Sequence, residues 1–322
     1  MRYLVTGSAG HLGEGLMRTL RVRGLEAVGL DILDSPYTDV VGSVADPDLV
    51  KRSLKGCDIV LHTATLHKPH VATHSKAQFV ESNITGTLHL LEAALEQGLL
   101  GVVFTSTTSA FGAALKGWIN EEVRPIPKNI YGVTKVAAED LCQLFYRTRG
   151  LPSVVLRTSR FFPEPDDDPR RRNGFGDHNL KVNEFLYRRV ELSDVVSAHL
   201  LAAERLPLIG FDRYIVSATT PFQPEHTERL QQDTPGLVAE LFPHYPELYD
   251  GLGWRMNPTL DRVYDNRKAR EQLGWQPEYN FGSQLERLAR GESTVSALTQ
   301  AVGAKGYHPG RDFGEIPFPV EA

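Results

Sequence analysis

An apolar run, RYLVTG, breaks into the glycines Gly7, Gly10 and Gly13 and then into a helical pattern that continues to about Arg23. No other stretch constrains the fold of this chain as tightly. Glycines at a strand-to-helix junction permit a tight turn, let the backbone approach a ligand closely, and let the helix pack near the strand. The helix start adds free N–H groups and positive potential, which suits an anion such as a pyrophosphate. The surroundings fit: a strand before, a helix after, and the acid Asp31 at the end of the second apolar run, GLDILD. A carboxylate there can accept hydrogen bonds from both hydroxyls of an adenosine ribose, and it repels a 2′-phosphate. No Arg or Lys lies within several residues of Asp31, so the expected cofactor is NAD rather than NADP.

The alternation continues. EAVGLDI, TDVVGSV, DIVLHTAT, GVVFTST and PSVVLRT read as strands between helical patterns. DPDLVKRSLKGC reads as a helix opened by Asp46 with Pro47 at its first position. HSKAQFVESNITGTLHLLEAALEQG reads as one long helix ending at Gly98. Continuous apolar strands between helices indicate a parallel sheet covered on both faces. The expected fold class is therefore α/β, a Rossmann-type doubly wound parallel sheet.

After Phe162 the texture changes. Residues 163–178, PEPDDDPRRRNGFGDH, are polar and rich in Pro and Gly, and are expected to lack regular structure. LSDVVSAHLLAAERL then restores a helix and RYIVSA a strand. The expected division is an NAD-binding domain over 1–162 and 188–217 and a smaller, mixed C-terminal substrate-binding domain over 163–187 and 218–322. The net charge of −5 gives no reason to expect nucleic acid or an anionic membrane as partner. No stretch approaches the ~20 apolar residues that span a bilayer. The opening MRYLVTG enters a strand without a leader-like pattern. Cys57 and Cys142 stand far apart, which excludes a disulfide framework. A cytoplasmic protein is expected.

NIYGVTKVAAED puts Tyr131 four residues ahead of Lys135. On a helix such residues share a face. An ammonium beside a phenol stabilises the phenolate and draws its pKa below the usual ~10. With this pair and the glycine turn both present, the chain resembles the extended short-chain dehydrogenases/reductases, the NAD-dependent epimerases, dehydratases and dehydrogenases that act largely on sugars and nucleotide-sugars. TGSAGHLG resembles their TGxxGxxG, and SNITGT their helical Asn motif, with Asn83 as the match. FTSTTSAFG resembles the segment that usually reads SSxxVYG, YGVTK is similar to YxxxK, and YDNRKAREQLGWQP resembles a C-terminal signature ending in LGW-x-P. The resemblance covers nearly all of residues 1–290.

It implies that Tyr131 exchanges a proton with a substrate hydroxyl or carbonyl, that Lys135 lowers its pKa and holds the nicotinamide ribose, and that Thr107 orients the same substrate oxygen. It implies a cofactor wall of Gly7, Ala9, Gly10, His11, Leu12 and Gly13, of Asp31, Ser43 and Val44, of Thr63, Ala64 and Thr65, and of Asn83, Thr105 and Ser106, with Tyr131 and Lys135 at the nicotinamide end. It also implies a homodimer through the helices that carry Asn83 and Tyr131, and a sugar or nucleotide-sugar substrate.

Several positions depart from the family pattern. Sugar 4,6-dehydratases carry an acidic pair directly after the catalytic Ser/Thr, where this chain has Thr108 and Ser109. Elimination needs a general acid and a general base, so dehydration is disfavoured. Phe111 replaces the tyrosine of VYG. Arg160, in LRTSRFFPEP, stands near where many epimerases have Asn, and can bind a phosphate or carboxylate bidentately. The run loosely resembles RxGSCTPEP of uronate dehydrogenases. Candidate substrate contacts are Thr108, Arg160 and His67. Residues 163–178, with Asp166–Asp168 and Arg170–Arg172, form either a lid or a solvated loop. His62, His67, His70 and His74 fit no tight zinc spacing, so no metal is expected, and some of them are expected at the mouth of the site. Cys142 reads as a core residue. The expected function is an NAD-dependent epimerase or oxidoreductase. A dehydrogenase that acts on an aldose or uronate and releases NADH is the alternative within the class. A catalytically silent NAD(H) sensor is the alternative outside it, and the presence of Tyr131, Lys135 and Thr107 together counts against that.

Overall fold

A computed structural model describes residues 1–114, 116–166 and 168–306. In chain order its strands are β1 (Arg2–Thr6), β2 (Glu26–Asp31), β3 (Val40–Val41), β4 (Ile59–His62), β5 (Gly101–Thr107), β6 (Gly117–Ile119), β7 (Ser153–Thr158), β8 (Phe211–Val216) and β9 (Arg262–Tyr264). The larger sheet has the order β3-β2-β1-β4-β5-β7-β8 and every pairing in it is parallel. The order reverses between β1 and β4, and a crevice opens beyond the strand ends at such a switch point. Helices cover both faces, as the apolar runs indicated. On one face Leu16, Met17 and Leu20 of helix His11–Val22 pack with Val195 and Val196 of helix Leu192–Ile209. On the other, Leu90 and Leu91 of helix Gly86–Glu96 pack with Ala138 and Cys142 of helix Ile130–Arg149.

The helix starts are set by side chains that satisfy free backbone N–H groups. Asp46 accepts from Leu49 N at 3.0 Å, with Pro47 following it, as expected. Asn129 accepts from Gly132 N at 3.0 Å and so fixes the turn that carries Tyr131.

The structure departs from the sequence reading in several places. The long helix expected from His74 to Gly98 begins after Ser75 as Lys76–Phe79, passes through a π-helical turn, Val80–Thr85, and continues as Gly86–Glu96. A π turn carries an extra residue inside a helix and re-aims the side chains in it; here it holds Asn83, which is buried. The segment 163–178 is not irregular throughout: Pro169–Gly174 and Asp177–Glu184 are helical. Asp168 caps the first of these by accepting from Arg170 N at 3.0 Å, and Arg188 pairs with both Asp166 and Glu184. Opposite charges partnered in place remove the reason for the run to stay solvated. Asp167 lies outside the described residues.

The expected domain boundaries are also crossed. β6, from the first segment, pairs with β9 in a second, two-stranded sheet. Conversely Ala269, Leu273, Trp275 and Val302 are buried in the Rossmann core, and Trp275 Nε1 donates to the Asp194 carbonyl at 3.0 Å. The LGW of the sequence is thus a clasp that returns the chain to the first core. A separate cluster, with Leu186, Phe222, Tyr249 and Phe281, forms the smaller C-terminal part. Residues 307–322 lie outside the described residues. No helix among those described is long and apolar enough to cross a membrane.

Candidate active site

A cleft of about 580 Å³ lies beyond the carboxyl ends of β1, β2, β4, β5 and β7. Of the residues expected on the cofactor wall, Gly7, Ala9, Gly10, His11, Leu12, Gly13, Asp31, Ser43, Val44, Thr63, Ala64, Thr65, Thr105, Ser106 and Tyr131 line it. Thr107, Thr108, His67 and Arg160 line it too. Lys135 and Asn83 do not.

The glycine turn is built by close approach. Gly7 has φ 71°, and a Cβ there would lie 2.8 Å from Ala64 N. A Cβ on Gly13 would lie 1.9 Å from the Gly7 carbonyl, so any larger residue pries the helix off the turn. No side chain caps helix His11–Val22, whose first residues line the cleft, and a free helix N-terminus suits an anion. Asp31 is held by the turn itself: its Oδ2 accepts from Ala9 N and its Oδ1 from Leu33 N, each at 2.9 Å. Among the described residues that line the cleft, Asp31 is the only carboxylate.

Tyr131 sits in the first turn of helix Ile130–Arg149, and its hydroxyl shares a hydrogen bond with that of Thr107 at the end of β5. Thr107 also accepts from Ser109 N at 3.0 Å, which fixes its rotamer. The phenol is 9% exposed, and burial pushes its pKa up to about 12 against the opposing effect of the Thr107 hydrogen bond. In the protein without cofactor, desolvation therefore outweighs the Thr107 hydrogen bond, whereas the lowered phenol is expected with the positive charge of oxidised nicotinamide beside it. Lys135 lies one turn behind. Its Nζ stands 4.0 Å over the Phe104 ring, and burial pushes its pKa down to about 7 although the Glu139 carboxylate pulls it up.

Glu139 continues the Tyr131–Lys135 spacing and was missed from the sequence. It receives Ser106 Oγ at 2.5 Å, Arg157 Nη2 at 2.7 Å and Arg213 Nε at 3.1 Å. The hydroxyl of Ser106 is therefore taken by Glu139, and that of Thr105 by His199 Nε2 at 2.7 Å. Both residues tie the strand end to neighbouring helices through their hydroxyls while lining the cleft. Asn83 has side-chain partners of its own. Its amide accepts from Leu66 N at 2.8 Å and donates to the Leu66 carbonyl at 2.8 Å and to Thr134 Oγ1 at 2.9 Å. It clamps the loop after β4 onto the Tyr131 helix.

The histidines separate. His62 is a core residue held by Thr6 at 2.7 Å and Thr87 at 3.0 Å, and burial pushes its pKa down to about 3. His67, His70 and His74 line the cleft; the His67 and His70 rings meet at 4.5 Å, and His67 stacks on Phe162 at 5.3 Å. Among the described residues no group of three or more His, Cys, Asp or Glu is arranged to hold a metal ion. Arg160 donates to the carbonyls of Glu164 at 3.0 Å and Pro165 at 2.7 Å. Cleft residues that sequence reasoning missed include Phe162, Arg188, Tyr264, Lys305 and Gly306. FFPEP and YDNRK carried a family signal for the first and third; nothing marked the last two.

A parallel sheet with a glycine turn and a ribose-seeking acid at its switch point, and a buried Tyr–Thr pair with a lysine behind it, defines a nicotinamide-dependent enzyme of the short-chain dehydrogenase/reductase class. The chain belongs to the NAD dependent epimerase/dehydratase family, whose sequence pattern matches residues 3–180, and NAD is its cofactor. It is 27% identical to UDP-glucose 4-epimerase of Azospirillum brasilense over 95% of each chain. It is 28% identical to dTDP-glucose 4,6-dehydratase of Streptomyces antibioticus, over 89% of this chain and 91% of the other. A solved UDP-glucose 4-epimerase of Thermus thermophilus, in complex with NAD, superposes with a TM-score of 0.58 at 24% identity, over 90% of this chain and 99% of that one.

Proposed function

We propose that this protein is an NAD-dependent epimerase that inverts a hydroxyl-bearing carbon of a nucleotide-sugar. The observation that carries the reading is the cleft wall. Tyr131 and Thr107 present one hydrogen-bonded hydroxyl pair beside β5, while the single carboxylate of the described wall, Asp31, lies at the end of β2. Oxidising and re-reducing a secondary alcohol needs one proton shuttle, whereas eliminating water needs a further acid and base. The site has the first and lacks carboxylates for the second. Names of relatives that act on UDP-glucose or dTDP-glucose support a nucleotide-sugar substrate.

NAD supplies the carbon that takes up the hydride and gives it back. Tyr131 takes the proton of the substrate hydroxyl as the carbon is oxidised and returns it when the hydride comes back on the opposite face. With a pKa of about 12, the phenol needs positive charge at its oxygen to work near neutrality. Oxidised nicotinamide, when bound, and the Lys135 ammonium would supply that charge. Thr107 holds the substrate oxygen in line with the phenol, and Lys135 reaches the nicotinamide ribose. Asp31 takes the adenosine ribose, and the N–H groups after Gly10 take the diphosphate. Thr108, His67 and Arg160 meet the sugar and the nucleotide it carries.

The same reading includes a homodimer. Val80, Val133 and Leu144, on the helices that carry Asn83 and Tyr131, are 42%, 49% and 46% exposed, an apolar face suited to a second copy. Buried free thiols at Cys57 and Cys142 suit a cytoplasmic setting. Incubation with UDP-glucose, UDP-N-acetylglucosamine and dTDP-glucose, followed by chromatography and nicotinamide absorbance, tests the reaction. Interconverted epimers with no build-up of NADH support it. Stoichiometric NADH makes the protein a dehydrogenase, and inertness toward all three rejects the substrate class.

A further inference from the structure

We propose that Lys305 and Gly306 complete the cofactor site as a strap across the diphosphate end of the cleft, and that this strap sets how fast the dinucleotide leaves. The inference rests on the NAD reading of the cleft and adds a wall to it from the far end of the chain.

Both residues line the same cleft as the glycine turn. They follow helix Ala297–Val302, whose Val302 is packed in the Rossmann core, so the strap has a fixed base. From there the chain is fastened to the helix that starts at the turn. Lys305 N and Gly306 N donate to Glu164 Oε1 at 2.8 and 3.1 Å. The same oxygen lies 2.7 Å from Nε2 of His11, the first residue of that helix. Lys305 Nζ stands 2.5 Å from Oε2 of Glu14, in the helix's first turn. Arg18 Nε holds the other Glu14 oxygen at 2.7 Å, and Arg18 Nη2 donates to the Ala301 carbonyl at 3.2 Å. Residues 301 and 305 therefore land on the first turns of the helix whose N-terminus is read as the diphosphate site, and residue 306 lands on the Glu164 that pairs with its first residue.

Charge gives the strap its second effect. Glu14 and Glu164 are both buried, each 6% exposed, beside a place meant for an anion. Two carboxylates there repel a diphosphate unless a cation offsets them. Lys305 is the cation that the strap brings, and it does so while covering the mouth. Loss of Lys305 removes cover and counter-charge together. A cofactor held in this way stays through oxidation and re-reduction of one substrate, as an epimerase requires.

The test uses the full-length protein loaded with NADH and diluted into excess NAD, with decay of bound NADH fluorescence as the readout. In the variant Lys305→Ala, which keeps the Glu14 and Glu164 carboxylates and removes the cation that offsets them, release is expected to quicken by roughly threefold or more. A smaller change in a folded variant overturns the proposal. If Lys305→Ala fails to fold, Lys305→Gln is measured in its place, with the same dividing line of about threefold. A wild-type chain that binds no NADH overturns the NAD reading and the strap together; binding with unchanged release overturns the strap alone.

Discussion

Replacing Lys135 by Met should flatten a specific part of the stability curve. The ammonium lies over Phe104 in a place where burial pushes its pKa from 10.5 down to about 7. Between those two values the unfolded chain binds a proton that the folded chain has released, so stability rises with pH. Below pH 7 both states carry the proton, the full penalty applies, and the slope disappears. From pH 7 to 8.5 the linkage gives a gain on the order of 1–2 kcal/mol in the wild type. Met keeps the length and apolar stem and removes the titrating group. Burial also pushes the Cys142 thiol up to about 12, which pulls the curve the other way above pH 8, but that thiol is present in both proteins. Urea unfolding of cofactor-free wild type and Lys135→Met at pH 7.0 and 8.5 isolates the term as a difference of differences. Equal pH dependence in the two proteins would mean that Lys135 titrates as a solvated ammonium, and its desolvation behind Tyr131 would have to be abandoned.

Glu139→Gln leaves Arg157 and Arg213 facing a neutral amide in the interior; a loss of about 3 kcal/mol is expected from thermal or urea unfolding, and a loss under about 1 kcal/mol would show that the arginines find other partners. Asp31→Ser removes the carboxylate proposed to hold the adenosine ribose; NAD affinity should fall by roughly tenfold or more while NADP gains, and calorimetry showing unchanged NAD affinity would displace Asp31 from the ribose.

The sheet was legible because its strands are buried on both faces and so are written as unbroken apolar runs, and because Asp46 and Asn129 mark helix starts with their own side chains. Gly7 and Gly13 were legible for the opposite reason: each stands where a Cβ would collide with backbone. The π turn at Val80–Thr85 left no trace in apolar spacing, since it shifts the pattern by a single residue. The helices within 169–184 were hidden because they are held by ion pairs, whose partners, such as Arg188 for Asp166, lie too far along the chain to be matched by spacing. The side-chain partners of Asn83, Thr105 and Ser106 were not legible, because a motif marks a position and not the direction of a side chain. Glu139 was readable in principle, as the next step of the spacing that picked out Tyr131 and Lys135. Lys305 was not: only the fold brings residue 305 to residue 14.

The most direct measurement is turnover of Tyr131→Phe beside its NADH affinity. Removing one hydroxyl from a proton shuttle should cut kcat by roughly a thousandfold, within the usual range for general acid–base catalysis, while NADH binds as tightly as in the wild type. Turnover within about tenfold of the wild type would mean that the proton travels by some other group, and Tyr131 would lose its place at the centre of the site.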